Sequence, residues 1–293
     1  MELSDSEILF YQESFKNGFR VDGRENTQLR PIKIKHGSIP AAWGSATILY
    51  GDDDQEITVS IKAKTQIGEN GSPVFAFHIS QKSDAKDEDK GLIKYYVESI
   101  QTGSSLFTKI RAAEKTKNLL NSFLDKYMGE VIDRSELYLD QSTSWLLNVD
   151  VHLPGELSLN QLQPISIAVL AAFQNLRFPQ VIVTQDQVTN NVEVDLRENI
   201  IDEEGTDTLE SVSTSDSCLL IQVGICGDNI IFDPTKEESL CVDTSLLVAI
   251  NSKGEVMGIE KIGNNVGFDA MKKAVQIIVE KAKDIFEFYG FNS

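Results

Sequence analysis

The chain has 293 residues, of which 41% are hydrophobic and 25% charged, proportions that suit one large globular domain or two modest ones with a real buried core. Its formal net charge of -18 excludes a protein that grips RNA alone through a basic surface, because phosphate neutralisation dominates such affinity. A local basic strip, or a groove completed by a partner, stays open. Cys218, Cys226 and Cys241 are odd in number and have no zinc-type spacing with His36, His78 or His152. They read as reduced core thiols of an intracellular protein.

The first residues, MELSDSEILFYQESF, lack the basic and apolar regions of a signal peptide. No apolar run approaches the roughly 18–20 residues of a membrane span. The expected compartment is cytosol, nucleus or both.

Ser4 to Lys16 reads as an amphipathic helix, with Ser4 as N-cap, Glu7 completing a capping box, and Gly18 as the stop. GFRVDGRE follows, a loop with arginines around Asp-Gly. Leu29 to His36, Trp43 to Tyr50, Glu56 to Lys64 and Val74 to Ser80 alternate like strands, with the acidic turn GDDDQ between the second and third. Gln81 to Lys90 reads as a polar loop, and Leu92 to Met128 as mostly helical. Ser135 to Asp140 and Trp145 to Leu153 are expected as a strand pair. Pro164 to Leu176 is apolar on most sides, as a buried helix would be. After Pro179 come the strand QVIVT and the polar, acidic stretch Gln185 to Asp216, with strand character near Val192 to Val194. Leu219 to Gly224, Ile230 to Phe232, Asp243 to Ile250 and Val256 to Ile262 are further strands, turning at Gly227-Asp228-Asn229 and Ser252-Lys253-Gly254. Val266 to Tyr289 closes the chain as an amphipathic helix. Strands followed by a helix, twice over, imply an α+β form with helices packed on the sheets.

No P-loop, dinucleotide fingerprint, zinc-protease motif or GxSxG elbow is present. Three weaker candidates remain. FRVDGR with LRPIKI supplies Arg20, Arg24 and Arg30 around a tight turn, either a functional cluster or a solvated loop. ISIAVLAAFQNLRFP reads as a core helix. IIFDPTKEESLCVDTSLLVAI gathers Asp233, Glu237, Glu238 and Asp243 on a strand-loop-strand, which could hold a divalent cation or be a solvated loop.

In this order and spacing, RVDGR with RPI, VSIKAK, WLLNVDV, ISIAVLAA and DPTKEESLCVDTSLLVAINSKGEV resemble the RNase PH-like ring subunits of the RNA exosome. The nearest is the type called ribosomal RNA-processing protein forty-two, with the forty-five type left open. The resemblance implies an RNase PH fold (ribosomal protein S5 domain 2-like) with two similar strand-rich halves. The divisions would be 1–29, an N-terminal helix and arginine-containing loop; 30–179, a first half; and 180–293, a C-terminal half. It also implies a hexameric ring with other RNase PH-like subunits, RNA-binding cap subunits on one face, RNA threading through the channel to a separate nuclease, no membrane, and residence in nucleus, nucleolus and cytoplasm. Trp43, Tyr50, Phe75 and Phe77 are candidates for ring contacts, or else core.

Active relatives use phosphate as nucleophile, held by a Gly-Thr-Arg motif at the start of the middle helix, where helix amides and a guanidinium both bind anions. Here that stretch reads LSLNQLQPISIAV, with no arginine between Pro154 and Leu176. Asn160 and Gln161 are its degenerate counterparts, and Asp233 and Asp243 are the vestigial acidic positions of the second half. The resemblance therefore implies a non-catalytic subunit with no cofactor and no metal; the alternative is a phosphate-dependent 3′-5′ exoribonuclease. A guanidinium brought to the pocket from elsewhere, beside the second-half aspartates, would overturn the scaffold reading. For RNA, Lys109, Arg111, Lys115 and Lys117 are the candidates, Arg111 and Lys115 falling on one helical side; a solvated face explains them too.

Overall fold

The computed structural model describes residues 3–51, 55–67, 75–82, 120, 122–128, 131–132, 134–139, 143–154, 158–178, 181–185, 192–196, 210–211 and 218–291. The N-terminal helix α1 (Asp5–Lys16) forms as the sequence dictates: Ser4 Oγ accepts from Glu7 N, and Glu7 Oε2 accepts from Ser4 N. Five strands follow, β1 (Ile32–His36), β2 (Gly44–Tyr50), β3 (Gln55–Ile67), β4 (Phe75–Lys82) and β5 (Thr143–Pro154). They form one sheet in the order β1-β2-β3-β5-β4, antiparallel except for the parallel pair β4 and β5.

The second half repeats the theme. β10 (Cys218–Cys226), β11 (Asn229–Phe232), β12 (Thr244–Asn251) and β13 (Val256–Gly263) make an antiparallel sheet ordered β11-β10-β12-β13. Between the halves, β6 (Arg177–Phe178) pairs with β9 (Glu210–Ser211), and β7 (Val181–Gln185) forms a hairpin with β8 (Val192–Leu196).

Helix α2 (Leu162–Gln174) packs against β2 and β3 of the first sheet and β10 of the second. It is buried from Leu162 to Phe173, which explains why its sequence is apolar all round. Its two buried polar residues have a structural task. β11 pairs only with Val223 to Cys226 of β10, so the amides of Leu220 and Gln222 have no ladder partner on that side. Ser166 Oγ takes the first at 3.1 Å and Gln163 Oε1 the second at 3.0 Å. At the other end of α2, Gly44 lets β2 come close: a Cβ there would lie 2.7 Å from Ala172 O and 2.9 Å from Leu176 Cα.

The long helix α4 (Phe268–Phe288), preceded by the short α3 (Lys236–Cys241), packs on β10 and β12 through Ala274, Ile278, Ala282, Ile285 and Phe286. One hydrophobic core runs through both sheets, α2 and α4. A second, small cluster joins Phe15 of α1 to Cys226, Ile231 and Cys241. All three cysteines are buried.

Two expectations need correction. Ser135 to Asp140 is not a strand: Arg134–Leu137 is a short 3₁₀ turn, and only Tyr138 bridges to Ser144. Strand β5 pairs instead with β3 and β4. The segment after Phe232 is not a plain loop either, since α3 occupies it, capped by Thr235 with Glu238. The polar loop expected at Gln81 to Lys90 lies, from residue 83, outside the described residues, as does most of the helical stretch Leu92 to Met128.

Candidate functional site

The RVDGR loop is not solvated. Arg20, Arg24 and Arg30 are all buried, and they tie the N-terminal segment to the second half of the chain. Arg20 grips Glu238 with both ends of its guanidinium, Nε to Oε1 at 2.8 Å and Nη2 to Oε2. It also donates to the carbonyls of Phe232 (2.8 Å) and Asp233 (3.0 Å). Arg24 pairs with Asp22 at 2.7 Å and donates to Asp233 O at 3.2 Å. Arg30 holds the Asp233 carboxylate bidentately, Nε to Oδ2 at 3.0 Å and Nη2 to Oδ1 at 2.5 Å, while its backbone N–H adds a bond to Oδ2 at 2.9 Å. Three guanidinium groups thus face three carboxylates, those of Asp22, Asp233 and Glu238.

Why Asp233 sits here follows from the chain path. It follows β11, precedes Pro234, and has φ 47°, the one positive value outside glycine among the described residues. Such a backbone costs on the order of 1–3 kcal/mol and persists only where its surroundings fix it. The arginine bonds to its carboxylate and its carbonyl do the fixing. Burial pushes the Asp233 acid up, but the charge and hydrogen bonds of Arg30, then the charge of Arg24, outweigh that and hold it below the usual carboxylate range. Asp22 follows the same pattern: burial raises it, and its bonds to Arg24 bring it down.

Asn160 and Gln161 sit in a one-turn 3₁₀ helix, Leu159–Gln161, that runs directly into α2. Their side chains turn back on Ser158: Gln161 Oε1 accepts from Ser158 N at 2.9 Å, and Asn160 Oδ1 from the Ser158 hydroxyl at 2.5 Å. Amides at this helix entry already have partners, Gln161 N on Ser158 O and Leu162 N on Leu159 O.

The pocket is nevertheless not composed of neutral amides alone, and that expectation is corrected. Arg30 arrives from the loop before β1 and donates Nη2 to Asn160 O at 3.3 Å, beside Asp233. Its charge is spent on Asp233, and its guanidinium lies 5.6 Å from the centre of the Tyr50 ring. Around it the seam is polar and tightly enclosed. The Tyr50 hydroxyl is buried beside Gln161 without a well-formed hydrogen bond, and burial pushes its pKa up, making it a weaker acid. Tyr289 accepts from Gln163 Nε2 at 3.1 Å. Both side-chain atoms of Gln222 are buried without a hydrogen-bond partner among the described residues.

Asp243 is elsewhere. Its N–H bonds Ile225 O, whereas that of Asp233 bonds Gln222 O, about 10 Å along β10 at strand rise. Asp243 is exposed and caps the hairpin turn through Gly227 N at 2.9 Å. Asp233 and Glu238 therefore gather at the arginines, both of them on Arg24, whereas Asp243 belongs to the turn. Lys109, Arg111, Lys115 and Lys117 lie outside the described residues. Of the aromatic candidates for ring contacts, Tyr50 is core and Trp43 packs against the core, while the side chains of Phe75 and Phe77 lie outside the described residues.

Residues 217–277 match the family described as 3′ exoribonuclease family, domain 2. The Archaeoglobus fulgidus exosome with RNA bound to the active site superposes with a TM-score of 0.69 at 19% identity, covering 97% of each chain. The chain has the RNase PH fold. An archaeal exosome core and the rice Rrp46 structure share it, with TM-scores of 0.64 at 18% identity and 0.58 at 14%, covering 97% and 92% of this chain and 96% and 97% of theirs. In sequence the chain is similar to the exosome complex component rrp42 of Schizosaccharomyces pombe, 24% identical over 94% of this chain and 88% of that protein. Rrp42 of Methanopyrus kandleri is also 24% identical, over 93% and 91%. Within the RNase PH fold, the network that composition and spacing left unseen is the pairing of Arg20 with Glu238 and of Arg30 with Asp233, partners more than two hundred residues apart. The capping box Thr235 to Glu238 was the local signal for α3.

Proposed function

We propose that the chain is a non-catalytic subunit of the exosome core ring. In this reading it supports 3′-to-5′ RNA processing and degradation, including ribosomal RNA maturation and messenger RNA turnover, by helping to thread RNA to a separate nuclease. The observation that carries the reading is the fate of the guanidinium that reaches the helix entry among the described residues: Arg30 is neutralised by Asp233, and Asn160 and Gln161 bind Ser158. Anion binding there would have to break a buried, bidentate ion pair. Full-length similarity to Rrp42 proteins supports membership of a ring with other RNase PH-like subunits, capped by RNA-binding subunits. Residence in nucleus, nucleolus and cytoplasm belongs to the same reading, and imaging of a tagged chain tests it.

An apolar surface also supports assembly. Leu9 and Phe10 on α1, Phe19 and Val21 in the next loop, and Leu240 on α3 are each more than half exposed.

The second reading, a phosphate-dependent 3′-5′ exoribonuclease, draws on the position of Arg30 beside Asn160 and Asp233. The deciding experiment incubates the purified chain, alone and in its native complex, with RNA and inorganic phosphate. Scaffold behaviour gives no nucleoside diphosphate attributable to this chain. Nucleoside diphosphate released by the purified chain alone, and only when phosphate is present, would establish phosphorolysis instead.

A further inference from the structure

The N-terminal loop and the last turns of α4 leave a cleft of about 470 Å³ between them, within the roughly 300–1,000 Å³ range of built binding pockets. Lys281, Asp284, Ile285 and Phe288 stand at i, i+3, i+4 and i+7, so a single face of α4 forms one wall. The floor is apolar: Leu29, Phe232 and Ile285 are buried, and Phe288 stands 55% exposed at the mouth. An exposed phenylalanine above a buried apolar floor is a surface that gains by being covered.

The charge at the rim says what would cover it. Two carboxylates, Glu25 and Asp284, line the cleft. Lys281 also lines it, donating to Thr27 Oγ1 at 3.2 Å and keeping its charge, so the two carboxylates outweigh the lysine and leave the rim net negative. The last turn of α4 has no basic residue, so the negative end of a 21-residue helix adds to the same potential. Phosphate-bearing ligands are disfavoured at such a rim, and a cationic side chain is favoured.

We propose that this cleft docks a short extended peptide of a partner protein, one in which an aromatic or aliphatic residue lies next to arginine or lysine. The apolar side chain enters against Phe232, Ile285 and Phe288, and the cation reaches Glu25 and Asp284. The inference is independent of ring membership, because neither α1 nor the arginine network contributes to it beyond shaping the loop.

The test pans displayed random peptides of about twelve residues on the full-length chain and measures the selected sequences by fluorescence polarisation. Phe288 and Asp284 are exposed, so Phe288→Ala and Asp284→Lys should keep the wild-type urea midpoint. Selected peptides should pair an apolar anchor with a basic residue. Each substitution should weaken them about tenfold or more, and added salt should weaken them further. No enrichment, acidic winners, or winners indifferent to both substitutions would overturn the proposal. So would a labelled oligouridylate, or self-association of the chain, that the same two substitutions abolish, since the cleft would then belong to RNA or to a second copy.

Discussion

Asp233 holds together features that a residue-by-residue reading separates: a strained backbone, a depressed acid and three buried arginines. Truncating it leaves Arg30 buried without its partner, so Asp233→Ala should cost about 3–5 kcal/mol in urea or thermal unfolding. A loss within experimental error would mean that Arg30 relaxes to solvent. The acid also makes stability depend on pH. Because its folded value lies below the ordinary one of about 4, the stability it contributes is complete above that pH and disappears as pH falls through the folded value. Unfolding midpoints measured between about pH 6 and pH 3 should fall for the wild type and fall less for Asp233→Asn. Identical slopes would remove Asp233 from the account. Gln222 has the opposite character, a buried amide with both ends unpartnered among the described residues. Gln222→Met should raise stability by about 1–3 kcal/mol, because an orphaned polar group is replaced by an apolar one of similar size. A drop would show that the amide is engaged in the working protein.

Elements whose cause is local were readable from the sequence. α1 is capped by Ser4 and Glu7, β1 alternates, and α4 carries an apolar stripe. Elements whose cause is distant were not. Ser135 to Asp140 has strand-like residues but no neighbour to pair with, because β5 is already flanked by β3 and β4. α2 reads as a core helix, yet nothing local says that Gln163 and Ser166 complete the β10 ladder. Its tight approach to β2 depends on Gly44. Gly44→Ala should cost about 1–3 kcal/mol by overpacking, as the added methyl meets backbone atoms that cannot turn aside. Unchanged stability would show that the strand and helix can separate slightly at no cost.

For the whole molecule, the relevant balance is a net charge of -18 against the reading that RNA passes close by. Threading by a ring reconciles the two, since cationic surface can come from several subunits. Arg111→Glu with Lys115→Glu should then weaken RNA binding of the assembled ring and flatten its salt dependence. Unchanged affinity and slope would discard those residues. Assembly should fail when the exposed apolar surface is charged: Phe10→Asp with Leu240→Asp is expected to release the chain from its native complex while leaving its unfolding midpoint in place. Co-elution of the double variant with its partners would place the interface elsewhere.

The amino-acid order by itself determined the α+β architecture, most of the strand and helix succession, the lack of an arginine from Pro154 to Leu176, and the likeness to exosome ring subunits. Each of these rests on short-range periodicity, capping or ordered motifs. Tertiary structure alone decided where the charges go. It buried Arg20, Arg24 and Arg30 against carboxylates from the far end of the chain, parted Asp233 from Asp243 along β10, and brought Arg30 to the helix entry with its charge already taken. Ion pairing between residues more than two hundred positions apart leaves no periodic trace, so only the folded chain reveals it.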